Sequence, residues 1–87
     1  MNTAFLLMAQ YNGKAIIPLE DVCRDYFAPL GFEKFKVKLA TGQISLPVVR
    51  VEDSQKGAKG VHLQDLADYL DSRRALALKE QRQLQAS

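Results

Sequence analysis

No Trp occurs in this chain of 87 residues, and it holds a single Cys and a single His. A disulfide framework needs at least two cysteines and a structural zinc site usually takes four Cys/His ligands, so Cys23 and His62 supply neither alone. No side chain pairs a nucleophile with a recognisable base. The expectation is therefore a protein that is not an enzyme and uses no metal or organic cofactor. Long apolar runs are missing too, which excludes a membrane span. The short run from Ala4 to Ala9 has no basic segment before it and leads into Gln10-Tyr11-Asn12, which argues against a signal peptide. A reduced, cytoplasmic setting is expected.

What is present is an ordinary globular composition, 47% apolar and 25% charged, enough for one small domain. The net charge of +2 is unevenly spread. Residues 34–59 carry Lys34, Lys36, Lys38, Arg50, Lys56 and Lys59 against Glu52 and Asp53, six bases to two acids. Residues 61–87 set Arg73, Arg74, Lys79 and Arg82 against Asp65, Asp68, Asp71 and Glu80, which balance. A local positive excess attracts a polyanion over about a Debye length, roughly 8–10 Å in physiological salt.

Turn residues divide the chain. Asn2 or Thr3 caps a first helix that reaches Tyr11 and stops at Asn12-Gly13. That helix is apolar almost all round and is expected to be well buried. Ala15-Ile16-Ile17 reads as a short strand ended by Pro18. Leu19, Val22, Cys23, Tyr26 and Phe27 then recur at helical spacing behind Glu20 and Asp21, and Pro29 and Gly31 close this second helix. A third helix runs from Phe32 or Glu33 to Thr41 and is stopped by Gly42. Leu46 to Val51 reads as a strand, residues 53–60 as a basic loop, and Val61-His62 as the returning strand. From Leu63 to Leu84 nothing breaks a helical pattern, and residues 83–87 are expected to fray.

Two short helices joined by a tight turn, followed by a hairpin with a basic tip, describe a winged helix-turn-helix. The fold class expected is mainly α with a small β-hairpin wing, plus a long C-terminal helix. Residues 1–75 would form the DNA-binding domain and residues 76–87 a helical extension. At about 100° per residue, Phe35 and Leu39 mark the buried edge of the third helix. Lys34, Val37, Lys38 and Thr41 share the opposite arc, where they would read the major groove: lysines on guanine edges or phosphates, methyl groups on thymine methyls. Lys36 points sideways and suits a phosphate. Ser54, Gln55, Lys56 and Lys59, set among glycines, would hold the backbone or minor groove from the wing, with Arg50 in support.

Several runs resemble the pyocin activator PrtN family: Thr3-Ala4-Phe5-Leu6-Leu7-Met8-Ala9-Gln10-Tyr11, Ile17-Pro18-Leu19-Glu20, Leu46-Pro47-Val48-Val49-Arg50, Ser54-Gln55-Lys56, and Ala58-Lys59-Gly60-Val61-His62-Leu63-Gln64-Asp65-Leu66-Ala67. The resemblance spans about residues 2–75, and residues 54–67 are its most specific part. It implies a small sequence-specific DNA-binding transcriptional activator acting at promoters of bacteriocin or prophage genes. More distantly, residues 16–70 are similar to excisionase and MerR-type winged domains. One local departure is Gly31-Phe32, where a Ser or Thr cap would be expected.

The other notable residues read as structural. Cys23 is expected to be buried, His62 to cap a helix or join a core hydrogen bond, and Tyr11, Tyr26 and Tyr69 to pack with wetted hydroxyls. Beyond Asp71, Leu76, Leu78 and Leu84 have little domain left to cover and point to a homodimer. RNA polymerase or a regulatory protein is a further candidate partner. Two rival readings stand beside the activator: an excisionase-like architectural protein, and an interaction module that binds a regulator through its last helix.

Overall fold

The computed structural model describes residues 2–86. Among them are four α-helices and three short strands, in the order α1 (Thr3–Gln10), β1 (Ile16–Pro18), α2 (Leu19–Tyr26), α3 (Phe32–Ala40), β2 (Val49–Arg50), β3 (Lys59–His62) and α4 (Leu63–Ala86). The arrangement is compatible with a helix-turn-helix followed by a wing.

Local chemistry explains most boundaries. The Asn2 side chain accepts the Ala4 N–H at 2.9 Å and starts α1. Asn12 and Gly13, at φ 55° and 74°, end it, and the Gly13 N–H reaches back to the Met8 carbonyl. Pro18 is the last residue of β1 and stands immediately before α2, while Glu20 and Asp21 occupy the first turn of that helix. A single 3-10 turn, Ala28–Leu30, links α2 to α3. Gly31 then takes φ 76°, a backbone region that an L side chain resists, so glycine takes the place of the expected Ser or Thr cap. His62 accepts the Gln64 N–H on Nδ1 at 3.0 Å and so caps α4, in keeping with its expected role.

The strands form one antiparallel sheet in the order β1-β3-β2, with Ile17 opposite Val61 and Arg50 opposite Lys59. Central Gly60 faces both Pro18 and Val49. A side chain there would collide with the Ile17 carbonyl and the Ile16 side chain. Ile17, Val22, Phe35, Val61 and Leu66 are fully buried and join the sheet, the three N-terminal helices' inner edges and α4 into one core. Phe27 stacks on Phe35 at 4.8 Å and meets Tyr69 at 5.9 Å, fixing the helix-turn-helix against α4. Cys23 is buried in that core, as expected.

Four expectations need correction. The helix expected to be well buried, α1, buries only Leu7, leaving Phe5 at 67% and Leu6 at 54% exposure. It lies on the surface and packs by one edge. The strand expected over Leu46–Val51 shrinks to Val49–Arg50, because Ile44 and Leu46 turn into the core and Pro47 has no N–H for a ladder. The expected basic loop is also shorter than 53–60: Lys59 and Gly60 belong to β3, which pairs on both sides and so reaches further than a simple hairpin strand. Finally, residues 83–86 continue α4 rather than fraying, and Ser87 lies outside the described residues.

α1 and α4 run antiparallel. The Thr3 hydroxyl donates to Asp71 at 2.6 Å, while the Leu63 N–H donates to the Ala15 carbonyl beyond the other end of α1. α4 therefore continues past the start of α1 by the fifteen residues 72–86, about 22 Å of helix. This overhang accounts for the elongated shape, 52 × 28 × 19 Å.

Candidate nucleic-acid interface

α3 is held from behind by Phe35, which is completely buried, and by half-buried Leu39. Its outer arc carries exposed Lys34, Val37 and Thr41, with Lys38 half-buried at the edge. Val37 is 59% exposed although it is apolar. The Thr41 hydroxyl donates to the Val37 carbonyl at 3.0 Å. The geometry thus keeps the four residues singled out on this helix on one arc.

Lys36 leaves α3 on the side of the sheet. It pairs with Glu33 at 3.1 Å and sits 4.8 Å over the Phe32 ring. Lys36, Arg50 and Lys59 line one groove between α3 and the wing, with Pro47 and Val48. On its other side Lys36 and Lys59 meet Gln55 across a second groove. Arg50 and Lys59 are direct cross-strand partners, so their side chains share one sheet face. Like charges set opposite each other destabilise a sheet unless an anion lies against them. Among the described residues neither has an ion-pair partner.

Ser54, Gln55 and Lys56 are exposed on the turn beyond this pair. The Val51 N–H donates to the Ala58 carbonyl and the Gly57 N–H to the Ser54 carbonyl, so the strand ladder carries one rung past β2 before the chain reverses. Of the ten residues proposed for nucleic acid, two groups emerge: the outward arc of α3, and the cluster of Lys36, Arg50 and Lys59. Sequence reasoning missed Val48 and Val51, exposed at 38% and 64% beside these cations. The only signal for them would have been a strand too short to bury alternate valines. Leu76 and Leu84 are exposed on α4, whereas Leu78 is half-buried.

The model of the pyocin activator protein PrtN family matches residues 3–77. The chain belongs to the PrtN family. It is thereby a member of a regulatory activator family and not of an enzyme family. Comparison with curated proteins and with solved structures gives no match. The PrtN match ends at residue 77, so it takes in α1, the helix-turn-helix, the sheet and more than half of α4. No helix among the described residues of this PrtN family member is long and apolar enough to cross a membrane.

Proposed function

We propose that this PrtN family member activates transcription by binding double-stranded DNA at promoters of bacteriocin or prophage genes, as a homodimer in the cytoplasm. The observation that carries the reading is the like-charge pair Arg50 and Lys59, facing one groove with Lys36 and making no ion pair among the described residues. A phosphate backbone passing between wing and helix would neutralise Arg50 and Lys59 and draw Lys36 from its pairing with Glu33. Residues 1–75 act as the DNA-binding unit and residues 76–87 as an extension that serves self-association through Leu76, Leu78 and Leu84.

In this reading Lys34, Val37, Lys38 and Thr41 enter the major groove, and Ser54, Gln55 and Lys56 follow the backbone or minor groove from the wing tip. A single module of this size covers only roughly 600–1,000 Å² of DNA. Two copies would double the contact and read a paired site. Polymerase or a regulatory protein would meet the surfaces left outside the DNA.

The test is fluorescence anisotropy on a pool of random duplexes at two salt concentrations, followed by sequencing of the bound fraction. Tight binding with a steep salt slope and an enriched motif is expected. Lys38→Ala should relax base preference at one position, while Arg50→Ala with Lys59→Ala should lower the salt slope by roughly one unit for each phosphate lost. No binding at low salt, where phosphate attraction is strongest, would overturn the DNA reading.

A further inference from the structure

Among the described residues, α1 is the one α-helix without a charged side chain. Leu7, Tyr11 and Ala4 turn inward, so its outer face consists of Phe5, Leu6, Met8 and Ala9. An apolar helix face of this kind is normally covered. Beside it projects the overhang of α4, residues 72–86.

α4 is also divided by charge. Its first part, residues 63–71, holds Asp65, Asp68 and Asp71 and no base. Its overhang holds Arg73, Arg74, Lys79 and Arg82 against Glu80 alone. A helix acidic at one end and basic at the other complements itself when two copies lie antiparallel. Pairing centred on Ala75 sets Asp71 opposite Lys79, and Asp68 opposite Arg82, because both pairs are equally spaced about residue 75. By the helical repeat these four residues and Ala75 share one arc, and the small alanine allows close approach at the crossing point.

We infer that this end of the molecule binds a second copy of the chain, the two α4 helices antiparallel about Ala75 and each overhang lying along α1 of the other copy. The inference rests on the self-association proposed above and gives it a geometry. Area favours this occupant. A stable interface buries roughly 800 Å² per partner, more than the two turns of α1 can provide. An overhang of about 22 Å, carried by the chain itself, supplies the remainder. The resulting contact is isologous and closes on a two-fold axis.

Two charge-reversed variants test it. One carries Asp68→Lys and Asp71→Lys, making its α4 wholly basic on this arc; the other carries Lys79→Asp and Arg82→Asp, making it acidic. All four positions are solvent-exposed, but Asp71→Lys also removes the acceptor of the Thr3 hydroxyl, so recovery in the mixture is the deciding measurement, and circular dichroism checks that each variant keeps its helix content. Sedimentation is expected to give twice the 9.7 kDa chain mass for the wild type. Each variant alone should associate roughly tenfold or more weakly, since every attractive pair becomes repulsive. Mixed one to one, the variants should regain the wild-type mass as a heterodimer. Phe5→Ala should weaken the wild-type dimer roughly tenfold, as a buried aromatic anchor would.

A wild-type chain that stays monomeric at its highest soluble concentration overturns both this arrangement and the self-association reading. Variants that dimerise as well as the wild type, or a mixture that stays monomeric, overturn the antiparallel pairing. Loss of the dimer in Leu76→Asp under those results would show that the leucine helix associates in another register. A Phe5→Ala dimer of unchanged affinity overturns the role of α1.

Discussion

α1 and α2 are both eight residues long, and both lie against the core, yet they meet it in opposite ways. α2 carries Glu20, Asp21, Arg24 and Asp25 on its outer side and buries Leu19, Val22 and Cys23. α1 carries no charge and buries Leu7 alone. The more hydrophobic helix is the less buried one. Burial follows from how sharply apolar and polar side chains are segregated, because only segregation lets a helix press one face inward while wetting the other. Apolar surface in excess of what one face can bury stays outside, and on α1 it stands next to an overhanging leucine helix.

The sharpest way to break this contrast is to charge each helix. Val22→Asp places an unpaired carboxylate at a fully enclosed site and should cost more than about 4 kcal/mol, abolishing the cooperative unfolding transition seen by circular dichroism. Leu6→Asp, on the outer side of α1, should leave that transition in place. Next in size is Leu7→Ala, which removes the one buried anchor of α1. A loss of about 2–4 kcal/mol in urea denaturation is expected, and a loss below about 1 kcal/mol would mean that α1 is held by its ends alone.

A smaller effect concerns the polar link between the two helices. The Tyr11 hydroxyl donates to Asp25 at 2.7 Å, and the Arg24 guanidinium donates to the same carboxylate. Hydrogen bonds from Arg24 and then from Tyr11 hold Asp25 below the usual carboxylate range. Burial, together with that carboxylate, pushes the Tyr11 phenol up. A carboxyl lowered in the folded state contributes stability above the unfolded value of about 3.9. That contribution is lost as pH falls through the lowered folded value. Thermal melts should therefore decline below about pH 4, and Asp25→Asn should flatten part of the decline. Tyr11→Phe should cost about 1 kcal/mol near neutral pH. The smallest change is expected for Phe5→Ser, within about 0.5 kcal/mol of wild-type stability at concentrations where the chain is monomeric.

Much of the fold was legible because local chemistry acts alone at many boundaries. Asn12-Gly13 and Gly42 require left-handed backbone, and Gly31 takes it too. Leu19, Val22 and Cys23 show helical spacing, and His62 stands where a cap is needed. The candidate interface was half legible. The arc of Lys34, Val37, Lys38 and Thr41 follows from the helical repeat alone. Lys59 was misplaced in the loop, since nothing in a Lys-Gly pair announces that a strand begins there. Its pairing with Arg50, and the convergence of Lys36 on the same groove, depend on contacts between segments far apart in the chain.

The amino-acid pattern by itself settled the number and order of helices, the turn between α2 and α3, and which residues of α3 face away from the core. These are consequences of backbone preference and of a 3.6-residue repeat, both of which act within a few residues. Only the tertiary structure decided two matters: that β1 joins the wing to make a three-stranded sheet, and that α1 lies at the surface. Each depends on how much apolar surface the other elements leave to be covered, a quantity no short stretch of sequence contains.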